Sequence, residues 1–159
     1  MTVVLSVRQS RALGLALALV VLALDLASKT WAAAALQDGP VAVLPFLNLA
    51  LTWNYGISFG TLNAGQVPPW AWLALALAMS GALGVWLWRG PAALTRAALG
   101  LVIGGALGNG IDRVRFGAVA DFIDVHAGGW HFWVFNLADS GITVGAVLLV
   151  ADSLFRRAE

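Results

Sequence analysis

No cysteine occurs in the 159-residue chain, which excludes disulfides, a thiol nucleophile and thiolate metal sites together. Charge is nearly as scarce. Asp, Glu, Lys and Arg make up 11% of residues, where a soluble domain carries about a quarter. Instead 60% of residues are hydrophobic and the mean hydropathy is +0.86, so the chain reads as an integral membrane protein. A net charge of +1 gives no basis for binding nucleic acid. Where the few charges fall is more informative.

Four apolar stretches cover residues 12–36, 69–88, 92–111 and 137–155. Each approaches the roughly 20 residues that a bilayer-spanning helix requires, and Pro68 and Pro69 open the second, where proline is tolerated. Arg8 and Arg11 precede the first span, Arg89 and Arg96 separate the second from the third, and Arg156 and Arg157 follow the fourth. Four spans put those three places on one side, which is therefore read as cytoplasmic. Both termini are then cytoplasmic, and residues 37–68 and 112–136 lie outside. Trp70 and Trp72 at one end of the second span and Trp86 and Trp88 at the other fit an aromatic belt. Lys29, Arg113 and Arg115 break the pattern on the outer side, which points to a local role for their charge. A rival reading makes residues 1–34 a cleaved leader, with Ala32-Ala33-Ala34 as its cleavage site. Asp25 and Lys29 fall oddly late for that, and a mature chain starting near Ala35 would decide for it.

Helical rise places the acids. Asp25 lies 14 residues after Arg11, Asp112 lies 16 after Arg96, and Asp139 lies 17 before Arg156. At about 1.5 Å per residue these separations are roughly 21, 24 and 25 Å. Three spans thus carry an acid at one height, near the outer edge of the hydrocarbon, with Asn54, Asn109 and Asn136 in the adjoining outer segments. Carboxylates beside lipid are expensive and usually have a partner or a task. Asp121 and Asp139 stand out most, each an acid inside strongly apolar sequence, and two acids brought together can share a proton and activate water.

Each residue also has a plainer reading. Asn136 and Asp139 fit an N-cap and third-position acid at the start of the fourth span. Asp25 and Lys29 are spaced i, i+4, as an internal ion pair would be. Asp112-Arg113 can anchor the end of the third span, and Asp124 can be a solvated acid. Gly100, Gly104, Gly105 and Gly108 have the small-residue spacing of close helix contacts, and Gly108-Asn109-Gly110 reads as a helix end. The case for a site rests on coincidence.

Alternation through Leu49, Leu51, Trp53, Tyr55, Ile57 and Phe59 has the period of a strand. Residues 125–135, with Gly128-Gly129 in the middle, fit a hairpin. The expected fold is a mainly α membrane protein, four transmembrane helices with a small extracytoplasmic β-sheet, forming one membrane-embedded domain over residues 1–159. Trp53, Trp130 and Trp133 are expected near the lipid headgroups. His126 and His131 are expected to pack at the interface and not to hold a metal.

Five blocks now fall into order: Asp25-Leu26-Ala27-Ser28-Lys29, residues 54–60 (Asn-Tyr-Gly-Ile-Ser-Phe-Gly), residues 104–113 ending in Asn109-Gly110-Ile111-Asp112-Arg113, residues 117–124 around Asp121, and Phe135-Asn136-Leu137-Ala138-Asp139-Ser140. Together with the four spans they resemble the lipoprotein signal peptidase family, bacterial signal peptidase II, along nearly the whole chain. The resemblance implies an aspartic protease of the bacterial inner membrane whose catalytic acids map onto Asp121 and Asp139. Asp25, Lys29, Asn54, Gly56, Asn109, Asp112, Arg113, Asn136 and Ala138 fall on the family's supporting or substrate-lining positions. Two departures touch pocket shape: Ile57 where a small residue is usual, and Ala120 where valine is common.

The same resemblance implies a diacylglyceryl-modified prolipoprotein as substrate, cut just before the modified cysteine, near the periplasmic face. It calls for membrane lipids around a monomer, no metal and no organic cofactor. Two other classes compete. A small transporter would use Asp25, Asp112 and Asp139 as a proton relay, and a structural subunit would use its acids only to bind a partner. Cleavage of a lipid-modified precursor would separate the peptidase from the subunit; ion flux lost on Asp25→Asn would favour the relay.

Overall fold

The structure, a computed structural model, describes residues 5–56, 67–90 and 92–156. Ile57, Ser58, Phe59 and Gly60 of the second sequence block, and Arg157, lie outside those residues. Among the described residues four helices are long and apolar enough to cross a membrane: α1 (Val7–Ala35), α2 (Pro69–Arg89), α3 (Ala93–Phe116) and α4 (Leu137–Arg156). Helix α1 starts earlier than hydropathy indicates. Ser6 accepts from the Gln9 backbone N–H at 3.2 Å while Gln9 reaches back to the Ser6 N–H at 2.9 Å, a capping box that satisfies two orphan donors before the apolar run begins.

Helix α3 is the core of the bundle, with α1, α2 and α4 packed around it. Half of its apolar stretch is buried, against 6% of that of α2, so α2 turns almost all its surface to lipid. Glycine allows this. A Cβ at Gly100 would strike the backbone of Gly14 on α1, and one at Gly105 the Ala138 carbonyl at the start of α4. Both neighbours therefore lie against bare backbone, where packing rather than a hydrophobic driving force holds helices together. Gly100→Ala is expected to destabilise the protein by about 1–3 kcal/mol, the cost of overpacking. Gly81→Ala, where an added Cβ meets nothing, should leave the thermal midpoint in detergent unchanged or slightly raised.

The expected helix end at Gly108-Asn109-Gly110 is wrong. Helix α3 runs on to Phe116 and stops at Gly117, whose φ of 75° is the left-handed conformation that closes helices. Gly108 and Gly110 are small because neighbours press on them: the Asp25 carboxylate on the first and Ala76 on the second. Asp112 and Arg113, assigned to the outer segment, are accordingly helical.

Away from the sheet, Arg96 is buried at 5% exposure and donates to the carbonyls of Leu87 and Gly90 and to Ser10 Oγ. Arg11 donates twice to the Trp88 carbonyl, at 2.7 and 3.0 Å, with its guanidinium 4.3 Å above that ring. Arg11 and Arg96 thus satisfy the last carbonyls of α2, which have no helical partner.

The outer segments form an antiparallel sheet in the order β1 (Val41–Leu44), β2 (Leu47–Asn54), β3 (Val119–Ala127), β4 (Trp130–His131). Gly128 and Gly129, with φ of 58° and 82°, make the two-residue turn between β3 and β4 that needs positive φ at both positions. Strand β3 is buried over its first four residues. Phe122 packs with Ala32 and Leu36 at the outer end of α1, which fixes the sheet to the bundle. Trp53 packs on Phe116 with ring centroids 5.2 Å apart, while Trp130 and Trp133 are exposed.

Candidate active site

Polar side chains from α1, β2, α3, β3 and α4 meet where the sheet joins the bundle. Strand β3 carries Asp121 into this layer opposite Thr52 of β2. Asn54 at the end of β2 donates to Asp121 Oδ2 at 3.1 Å, and Asn136 donates to Oδ1 at 2.6 Å. Asp139 lies in the first turn of α4. Its Oδ1 accepts from Asn109 Nδ2 at 2.8 Å and its Oδ2 from the Asn136 N–H at 3.3 Å, while its own N–H donates to Asn136 Oδ1 at 3.0 Å. The capping reading of Asn136 and Asp139 therefore holds, and it accounts for only part of what they do. The Asn136 side chain spans the two acids, capping the helix that bears one and hydrogen-bonding the other.

Asp121 and Asp139 line one cavity of about 1180 Å³. Its remaining wall is mostly apolar, with Trp53, Phe132, Trp133 and Phe135 from the sheet and Ile142 and Val144 from α4. Burial first, then the like charge of Asp139, push the Asp121 carboxyl up to about 6, against the hydrogen bonds from Asn54 and Asn136. Such a group ionises where a general acid or base operates near neutral pH.

The shift has a stability consequence. A carboxyl moved from 3.8 to about 6 disfavours the ionised native site by about 3 kcal/mol at most. The protonated form is the one the fold prefers, so the Asp121 contribution is full below pH 3.8 and disappears as pH rises through about 6. Denaturation from pH 4 to 7 should show parent stability falling by up to that amount relative to Asp121→Asn. Parallel curves would refute it.

Behind the acids lies a buried ionic layer. Lys29, at 0% exposure, is 2.8 Å from Asp25 Oδ2 and 3.2 Å from Asp112 Oδ2, and donates to Asn109 Oδ1 at 2.7 Å. Asp25 Oδ1 accepts from the Ala138 N–H at 2.9 Å, one of the free donors at the start of α4. Asp112 Oδ2 accepts from the Ala120 N–H at 3.2 Å, next to Asp121. The expected i, i+4 ion pair is present, and it ties α1 to the acid-bearing ends of β3 and α4. At the rim, Arg113 donates to the Asn109 and Gly56 carbonyls and has its guanidinium 5.2 Å from the centre of the Trp72 ring. Gly56 donates in turn to Asn54 Oδ1 at 3.1 Å.

All eleven residues singled out from the sequence therefore fall in one connected network. Asp124 was misjudged. It is buried at 6% exposure, accepting from Asn48 Nδ2 at 3.1 Å and paired with His131 Nδ1 at 2.8 Å. Its partners come from another strand and the far side of a turn, out of reach of local spacing. The aromatic wall from Phe132 to Phe135 was also missed, although its place immediately before Asn136 was a usable signal.

Comparison with known proteins identifies the family. A family model described as signal peptidase (SPase) II matches residues 17–155. A lipoprotein signal peptidase of Hydrogenovibrio crunogenus is 46% identical over 143 residues, covering 87% of this chain and 83% of the relative. One from Burkholderia mallei is 50% identical over 117 residues, with 72% and 70% covered. A bacterial membrane enzyme solved in meso at 2.3 Å superposes with a TM-score of 0.79 at 31% identity, covering 89% of this chain and 87% of that one. Four apolar spans, one layer of acids and amides at one end of the bundle, and similarity along nearly the whole length place the chain in the signal peptidase II family of membrane peptidases.

Proposed function

We propose that the protein is an aspartic endopeptidase that removes the signal peptide from diacylglyceryl-modified prolipoproteins, with Asp121 and Asp139 as its catalytic pair. The observation that carries this reading is Asn136 between them: its side-chain N–H donates to the Asp121 carboxyl and its backbone N–H to that of Asp139, and both carboxyl groups open onto one largely apolar cavity. In the resting site the pair holds one proton, because two close carboxylates in a dry setting repel. The ionised partner removes a proton from water, whose oxygen attacks the scissile carbonyl. The protonated partner donates to that carbonyl oxygen, and the tetrahedral intermediate collapses as the acid that took the water proton gives it to the leaving nitrogen and the oxygen returns its proton to the other acid.

The supporting residues have matching tasks. Asn54, Asn109 and Asn136 use their N–H groups to aim the carboxyl oxygens, and Lys29 fixes the Asn109 amide by occupying its oxygen. Asp25 and Asp112 hold Lys29 and the backbone beside each acid, Ala138 presents its N–H to Asp25, and Arg113 with Gly56 shapes the rim. A site at the outer end of the spans suits a substrate whose acyl chains stay in lipid. The proposed setting is the bacterial inner membrane, with both termini cytoplasmic, the cavity toward the periplasmic face and one chain as the working unit. Among the described residues Ala18, Leu87, Leu99 and Ile103 form an apolar cluster within the bundle, which counts against the relay alternative.

The test uses purified protein in lipid with a prolipoprotein, with and without its diacylglyceryl group. Mass spectrometry should find a product beginning at the modified cysteine, and only from the lipidated form. Cleavage elsewhere, or none, would end the proposal.

A further inference from the structure

Asp124 and His131 lie outside the network around the two acids, yet they join the strands from which that network is hung. Asp124 Oδ2 accepts from Asn48 of β2, and both its oxygens lie within hydrogen-bonding distance of His131 Nδ1, at 2.8 and 3.1 Å. The pair therefore locks β2, β3 and β4 at one point. That point needs a lock. Strand β4 has two residues, paired as His126 with His131 and Ala127 with Trp130, and so short a hairpin has little stability of its own.

The segment after His131 gives the lock its consequence. The Phe132 N–H donates to the Val125 carbonyl at 2.8 Å. The Phe122 and Ile123 N–H groups converge on the Phe135 carbonyl at 3.0 and 2.8 Å, and the Phe135 N–H returns to Ile123 at 3.1 Å. Residues 132–135 wall the cavity, and the next residue is Asn136, which touches both acids. One end of the segment is held by Asn136 and the other by His131. Slack at His131 would loosen the aromatic wall first, while Asn136 keeps its own hydrogen bonds to Asp121 and Asp139.

We infer that His131, held by Asp124, is a positioning residue that keeps the Phe132–Phe135 wall in place for substrate binding and makes that binding depend on external pH. Among the described residues the groups facing His131 are few. Strand β3 supplies the Asp124 carboxylate and the His126 ring, stacked at a centroid distance of 5.0 Å and an interplanar angle of 26°, and β2 supplies the neutral Asn48 amide through Asp124. A protonated imidazole meets a carboxylate in a charge-assisted bond, the stronger kind. A neutral ring keeps only an ordinary N–H donor. The lock is therefore tighter while the ring carries its proton, and KM is lower in that state. The hydrogen bond from His131 also holds the Asp124 carboxyl below the usual carboxylate range, so the carboxylate is present throughout.

The inference rests on the peptidase reading for its kinetic test, which measures kcat and KM for a lipidated prolipoprotein between pH 5.5 and 8.5. His131→Ala should raise KM about ten-fold with kcat changed less than two-fold. His131→Asn, which keeps an N–H donor at the Nδ1 position, should recover most of the loss yet show a KM that no longer varies with pH. Unchanged KM in His131→Ala, a loss wholly in kcat, or a pH-dependent KM retained in His131→Asn would each overturn it. Hydrogen exchange of the Phe132 and Phe135 amides provides a readout free of activity. Exchange should quicken at least several-fold in His131→Ala over Asn136, and equal protection would overturn the inference. A parent protein that cleaves nothing would defeat the peptidase reading alone, leaving the exchange result to judge the lock.

Discussion

Asp121→Asn and Asp139→Asn, made separately, will each lower the turnover of a lipidated precursor by about 10³-fold or more, the upper range for loss of a positioned acid or base. Asparagine has nearly the shape of aspartate, so the hydrogen bonds from Asn54, Asn109 and Asn136 keep at least one acceptor in place and the fold persists. What disappears is the ability to trade a proton with water. Because the two acids act as a unit, the double variant should be scarcely slower than either single one, as for other residues that share one step. Detergent-solubilised protein that melts as a single species, binds precursor and fails to cut it is the expected result. Normal cleavage by either folded single variant would remove the catalytic assignment. Fully additive losses would show that the acids act in separate steps.

Lys29→Met should cost stability as well as turnover. Lys29 is the shared cation of two carboxylates that, like it, are at 0% exposure. Removing one partner of a buried ionic group costs about 3–5 kcal/mol, because the other charge is left without compensation. Here two acids would be stranded. The variant is expected to accumulate poorly or to melt far below the parent. Adding Asp25→Asn and Asp112→Asn should restore much of the stability, since neutral amides need no cation. Turnover should stay low in that triple variant, because nothing then donates to Asn109 Oδ1 from the Lys29 side, and the amide loses its fixed presentation to Asp139. Recovery of stability and turnover together would mean that Lys29 only balances charge. Recovery of neither would mean that the layer requires ions as such.

How far these features could be seen in the sequence depended on the range of the interaction. The spans were visible because each is a long apolar run, and the heights of Asp25, Asp112 and Asp139 followed from helical rise alone. The end of α3 was hidden because Gly108 and Gly110 resemble a stop signal, whereas their smallness answers to Asp25 and Ala76 on other helices. Strand β3 was missed at its start because Ala118, Val119 and Ala120 are all buried, which erases the alternation that marks a half-exposed strand. Arg96 was legible as a marker of sidedness but not as a cap on α2, since its acceptors are backbone carbonyls that leave no trace in composition. The site residues emerged from the blocks they form, but their pairing did not. Nothing local says that Asn136 faces Asp121 or that Lys29 selects the orientation of Asn109.

The chain order of the network has a consequence for biosynthesis. Asp25 and Lys29 enter the bilayer with the first helix, whereas Asn136, Ala138 and Asp139 arrive with the last. A nascent polypeptide halted before Asn136 would therefore hold Asp25, Asp121 and Asn109 still awaiting the Ala138 N–H, the Asn136 amide and the Asp139 carboxylate. On the proposed assignment the two carboxylates come together only once that last helix is in place, so the site is completed late in translation.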